Sequence, residues 1–247
     1  MKAHVTLDLK MTRLSGNNQN RSVLLIGTVI AVVLIALALF AVRGRPAGGA
    51  ANTNAVNFNY ASLPFAGQES APVNVVVVED FKCPVCKQFE ETVAPELRTK
   101  YVDSGQAKMY ALVWPFLAQV VGLPTDDSKL AAQAGKCVYD QRGNDGFGAY
   151  KSILFRAQGD ERTVWATKDR LKELAQNVEG LDQTAFATCL DTDATAARVD
   201  ADEKQATDAN VTGTPTVFVN GKVVTGSNGQ GSWQLADITA AIDAAKQ

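Results

Sequence analysis

Cys83-Pro84-Val85-Cys86 is the segment whose residue types and spacing speak most directly of chemistry. It follows the apolar run Val73–Val78 and opens a stretch of helical character, so both thiols fall where a buried strand gives way to a helix. Such a pair is suited to thiol–disulfide exchange. The thiolate is the attacking species, and the unpaired N–H groups and dipole at a helix N-terminus favour it. Cys83, at the helix start, is expected to be the exposed nucleophile. Cys86, one turn further on and deeper, is expected to resolve the mixed disulfide. Pro84 stiffens the turn and costs little in the first helical turn. The same spacing also fits a structural disulfide, or half of a four-cysteine zinc site completed by Cys137 and Cys189. Against these, a CxxC ring is a strained staple, and Cys137 and Cys189 lack short ligand spacing.

A second motif, Val211-Thr212-Gly213-Thr214-Pro215-Thr216-Val217-Phe218-Val219-Asn220-Gly221, supplies a proline before another apolar strand. Alone, Thr214-Pro215 reads as an ordinary trans turn. Beside a CxxC it reads as a cis turn that offers the Thr214 backbone to an extended substrate.

The net charge of −2 and the lack of a basic domain point away from nucleic acid. The only histidine, His4, lies in the N-terminal tail, which excludes a histidine-based triad or zinc centre in the folded region. Val23–Val42 has no charged residue and is long enough to cross a bilayer. We read it as a transmembrane signal anchor after a cytoplasmic tail, 1–22. The small residues Ala47, Gly48, Gly49, Ala50 and Ala51 also suit a cleaved signal peptide. Lys2, Lys10, Arg13 and Arg21 against Asp8 bias the N-terminus to the inside, with Arg43 and Arg45 beyond the span. Either reading places the rest of the chain outside the cytoplasm, where cysteines can stay oxidised. Residues 43–57 suit a flexible linker.

Beyond the linker the pattern is α/β. Val73-Asn74-Val75-Val76-Val77-Val78 is β-branched at every position but Asn74, as in a strand buried on both faces. A helix from Pro84 to about Tyr101 with a kink at Pro95 is expected, then a strand over Lys108–Trp114. An Ala-rich helical region follows from about Ser128 to Asp208, broken near Gly143–Gly148, Gly159 and Gly180. Asn220-Gly221 marks a hairpin between Thr216–Asn220 and Lys222–Thr225, and Trp233–Lys246 closes the chain as an amphipathic helix. Trp114, Phe116, Tyr139, Phe147, Tyr150 and Phe155 read as core, and Asp200–Lys204 as one solvated helix face.

CPVC after a strand, a helical insertion and then VTGTPTVFVNG resembles the DsbA-like thiol–disulfide oxidoreductases, especially the membrane-anchored bacterial ones. The likeness covers roughly residues 60–246. It implies a thioredoxin-like fold over 58–247, with an inserted all-α subdomain at about 120–208 and one transmembrane helix before it. It implies a cis-proline loop, Thr214-Pro215, facing Cys83, and a substrate-receiving surface around Phe81, Val85 and Thr214. The implied activity is the formation of disulfide bonds in secreted or envelope proteins. The implied partners are reduced or misoxidised extracytoplasmic proteins and a membrane reoxidant, a DsbB or vitamin K epoxide reductase homologue. No cofactor is implied, because the dithiol carries the electrons. The runner-up readings are a disulfide reductase or isomerase of the same fold, and a non-catalytic envelope chaperone.

Two departures from the family pattern bear on mechanism. Strongly oxidising members often have histidine where this chain has Val85, which suggests a less acidic Cys83. Many relatives place a buried acid where this chain has Val77. Glu79 and Asp80 are the nearby acids that could transfer protons instead, and a solvated strand end is the plain alternative for both. Relatives also often have cysteines near the positions of Cys137 and Cys189, which implies a structural disulfide across the insertion. Two buried free thiols are the alternative.

Overall fold

The computed structural model describes residues 55–246. The expected tail, membrane span and most of the linker therefore lie outside the described residues. Among the described residues, no helix is long and apolar enough to cross a membrane.

The five strands are β1 (Phe65–Ala66), β2 (Val73–Glu79), β3 (Ala107–Val113), β4 (Thr216–Val219) and β5 (Lys222–Val223). They form one sheet in the order β1-β3-β2-β4-β5. β2 runs parallel to β3, and the other pairings are antiparallel. The valines of β2, at 73 and 75–78, follow from its central place. Val73, Val75 and Val77 face one core with Phe89, Leu97, Ile238 and Ile242. Val76 and Val78 face the other with Leu112, Ala206 and Phe218. Between Val75 and Val78 both faces are dry and no position reaches water; Asn74, near the strand start, is the one partly exposed residue of β2.

The helical run after the CxxC, α1, begins at Pro84–Gln88. It continues through a π-turn at Phe89–Val93, an α-turn at Ala94–Leu97 and a second π-turn at Arg98–Val102. The expected kink at Pro95 is thus replaced by a widened turn just before it. Pro95 cannot donate to the carbonyl four residues back, and the Ala94 N–H instead reaches Phe89 O.

The insertion comprises α2 (Leu117–Val120), α3 (Asp127–Arg156), α4 (Lys168–Ala175), α5 (Gln183–Asp191) and α6 (Ala196–Asp208). α3 breaks at Gly143 (φ 57°, ψ −150°), while Gly148 stays helical. Asp126, Thr167 and Asp182 cap α3, α4 and α5 with their side chains. The sequence α7 (Leu235–Ala245) ends the described fold. This is the thioredoxin-like architecture with a helical insertion.

Two expectations need correction. Asp202 does not lie on a solvated face: it is 1 % exposed and paired with Lys136 at 2.6 Å, since α6 packs that side inward. The end of the expected linker is docked, with Val56 N–H donating to Gly221 O at 2.7 Å. Gly221 (φ 78°) makes room for this approach, as a Cβ there would sit 2.3 Å from Val56 O.

Candidate active site

Register assembles the site. Val78 pairs with Thr216 across β2 and β4, so the segment just before β4 lies beside the chain leaving β2. The Thr214–Pro215 peptide is cis. Cys83 Sγ lies 3.4 Å from Thr214 O, as a thiol donating to a carbonyl. Residues 131 apart in sequence thus share one site.

Cys83 is the N-cap of α1 and Pro84 its first residue. Cys83 and Cys86 are both free thiols. Cys83 is only 6 % exposed and Cys86 1 %, so the expected exposed nucleophile is largely covered. The Thr214 loop and the insertion core close over it, a long-range effect that helix position alone does not reveal. The order of burial is as expected.

The two thiols differ sharply in acidity. Cys83 is lowered to about 6, first by a hydrogen bond from the Cys86 thiol. Burial opposes this, and donors from Thr214 and the backbone N–H groups of Cys86 and Val85 assist it. The buried Thr214 Oγ1 has no hydrogen-bond partner while Cys83 is a thiol donating to the Thr214 carbonyl, which leaves it free to serve the thiolate. Cys86 is raised well above the ordinary thiol value, by burial and then by its neighbour Cys83. The Val85 side chain packs against the insertion core while its backbone serves the sulfur. A position unable to supply a side-chain donor is therefore still part of the thiolate cradle. Phe81 cannot form a substrate surface: it is fully buried, with its ring 5.3 Å from that of Phe155.

Glu79 and Asp80 are both buried, so the solvated strand end is excluded. Asp80 is a brace. Its carboxylate accepts from Lys82 N (2.8 Å), Phe116 N (3.0 Å), Leu117 N (2.9 Å) and Ser128 Oγ (3.0 Å). Burial pushes its pKa up and these donors pull it back. Glu79 is different. Its Oε2 lies 2.9 Å from Lys151 Nζ, and Oε1 has no hydrogen-bond partner. Burial raises Glu79 to about 7 against the pull of Lys151, and a negative Cys83 adds to the rise. Lys151 also pairs with Glu90 at 3.3 Å. Burial opposes the Lys151 charge, but Glu79 and Glu90 outweigh it and hold the ammonium protonated. Glu90 and Lys151 also line a cleft of about 940 Å³ that neither cysteine lines.

Glu90 was legible in principle, since positions 83, 86 and 90 share one helix face. Lys151 and Lys82 carried no local signal. Cys137 and Cys189 are joined in a disulfide with Cα atoms 6.0 Å apart. That pairing removes both from any zinc set with Cys83 and Cys86.

A free dithiol at a helix start, one thiol acidic and one suppressed, against a proline loop on a thioredoxin-like sheet, defines a thiol–disulfide exchange protein. The thioredoxin family's sequence model matches residues 62–244. The chain is 31 % identical over 167 residues to the probable disulfide bond formation protein D of Bacillus cereus, covering 67 % of this chain and 74 % of that one. It is 30 % identical over 161 residues to disulfide bond formation protein D of Bacillus subtilis, covering 65 % and 69 %. The crystal structure of oxidised BdbD from Bacillus subtilis superposes with a TM-score of 0.68 at 27 % identity, over 78 % of this chain and 98 % of that one. The chain belongs to the thioredoxin family and is a DsbA-like protein thiol–disulfide oxidoreductase.

Proposed function

We propose that this oxidoreductase acts outside the cytoplasm, anchored by residues 23–42, and forms disulfide bonds in secreted or envelope proteins through Cys83 and Cys86. The asymmetry of the pair carries this reading: an acidic Cys83 stabilises the reduced enzyme and so favours accepting electrons. The Cys137–Cys189 disulfide fits an oxidising compartment.

A substrate thiolate attacks Cys83 Sγ in the oxidised enzyme. The Cys83–Cys86 bond breaks, and Cys86 leaves with the electron pair. Because Cys86 is a poor thiolate, it must take a proton. Glu79, half-protonated near pH 7 and linked through Lys151 and Glu90 to the cleft, is the group fitted to exchange it. The second substrate thiolate then attacks the substrate sulfur of the mixed disulfide, and Cys83 leaves as a thiolate. Two electrons have passed to the enzyme. A quinone-linked membrane protein of the DsbB or vitamin K epoxide reductase-homologue kind would reoxidise it.

The test is the reduction potential of the full chain, equilibrated in glutathione buffers. Reference points are about −120 mV for DsbA and about −270 mV for thioredoxin. A value above about −180 mV is expected for an oxidase. A value near −250 mV would overturn the direction and make the protein a reductant, roughly at the thioredoxin end of the scale.

A further inference from the structure

The link between β2 and α1 is four residues, Asp80, Phe81, Lys82 and Cys83, and the insertion grips every one of them, Asp80 through Leu117 N and Ser128 Oγ. The Gln158 side-chain amide donates to Phe81 O at 2.7 Å and to Cys83 O at 3.1 Å. Lys82 Nζ is fully buried and donates to Asp127 Oδ2 at 2.9 Å and Thr163 O at 2.7 Å. Asp127 Oδ2 also accepts from the backbone N–H groups of Trp165 (2.9 Å) and Ala166 (3.1 Å). The segment 157–166, which joins α3 to α4, is thereby fastened to the redox turn at both its ends.

We propose that Gln158 is a positioning residue that sets the acidity of Cys83 from the insertion. The proposal rests on the reading of Cys83 as the nucleophile. The physical link is the Cys83 carbonyl. It already accepts from Lys87 N at 3.1 Å, closing the first turn of α1, and Gln158 takes its other side. Two donors on one carbonyl fix the plane of the Cys83–Pro84 peptide. That plane sets where the Val85 and Cys86 N–H groups point, and those groups cradle the sulfur. Pro84 has no N–H of its own to help hold the turn. The Gln158 amide bonds to two backbone carbonyls and to neither sulfur, so it acts only through the backbone it holds.

Gln158→Met keeps the length of the side chain and removes both donors. The readout is the pH dependence of Cys83 alkylation in the reduced full chain, followed by mass spectrometry, together with the reduction potential. The parent midpoint is expected near 6. In Gln158→Met it should rise by about half a unit to one unit, the size of one to two weakened hydrogen bonds. The potential should move towards the reducing side with it. Gln141→Met is the control: Gln141 accepts from Asp182 N at 3.0 Å inside the same insertion, remote from the turn. It should lower the melting temperature without moving the midpoint. A depressed parent midpoint that Gln158→Met leaves unchanged overturns the proposal and spares the assignment of Cys83. A parent midpoint at the ordinary thiol value overturns both.

Discussion

The two cysteine pairs put the same side chain to opposite uses. Cys83 and Cys86 sit one turn apart at a helix start, both free, with their acidities driven in opposite directions. Cys137 and Cys189 are 52 residues apart and covalently joined, tying α3 to α5. Burial is common to Cys86 and Cys137, each 1 % exposed, so burial alone does not separate a reactive thiol from a structural one. The surroundings do. The first pair has thiolate donors and a neighbouring carboxylate near neutrality. The second lies amid the packed insertion, where its partner is another helix. Short spacing permits opening and closing without refolding, whereas the long loop makes the second bond a constraint on the unfolded chain.

The largest expected effect breaks the first pair. Cys83→Ser should abolish catalysed disulfide formation, while Cys86→Ser should accumulate mixed disulfides that a gel without reductant displays. Efficient turnover by Cys83→Ser would falsify the nucleophile assignment. Next comes the second pair. Cys137→Ala with Cys189→Ala should lower the unfolding free energy by roughly 2–4 kcal/mol in denaturant titrations. The Cys83 alkylation midpoint should stay near 6 in that variant, and a shifted midpoint would mean that the two pairs are coupled.

The acidity of Cys83 also makes a stability prediction. Its folded pKa lies below its ordinary value of 9.0, so it contributes stability to the reduced protein that is lost as pH falls through about 6. The melting temperature of the reduced protein relative to the oxidised one should therefore climb between pH 6 and 9. The smallest expected effect belongs to Glu79. Its folded value of about 7 lies above the ordinary 4.5, so the folded state holds its proton more tightly. That contribution to stability falls as pH rises from about 4.5 to 7. In the oxidised protein, where neither thiol titrates, Glu79→Gln should flatten the fall of melting temperature over this range. An unchanged slope would remove Glu79 as the titrating group.

Sequence pattern located the elements that periodicity and turn chemistry encode. The β2 valines, Pro84 at the first turn of α1, and Asn220-Gly221 (φ 46° and 78°) at the β4–β5 hairpin each follow from local rules. The two-residue strand β1 carried too few residues to show a period. The π-turns were illegible because they answer to packing around Pro95 as well as to the residue itself.

By itself, the sequence determined the chemistry available: two thiols at a strand-to-helix junction, a proline motif before a second strand, and no histidine in the described fold. Tertiary structure decided what those groups do. Register brought Thr214 to Cys83. Packing drove Glu79 and Asp80 into the interior, where one became a brace and the other remained partly unpaired. The insertion placed Gln158 and Asp127 against the three residues before α1. Burial and hydrogen-bond partners come from residues far apart in the chain, and those two quantities set a pKa; spacing along the sequence encodes neither.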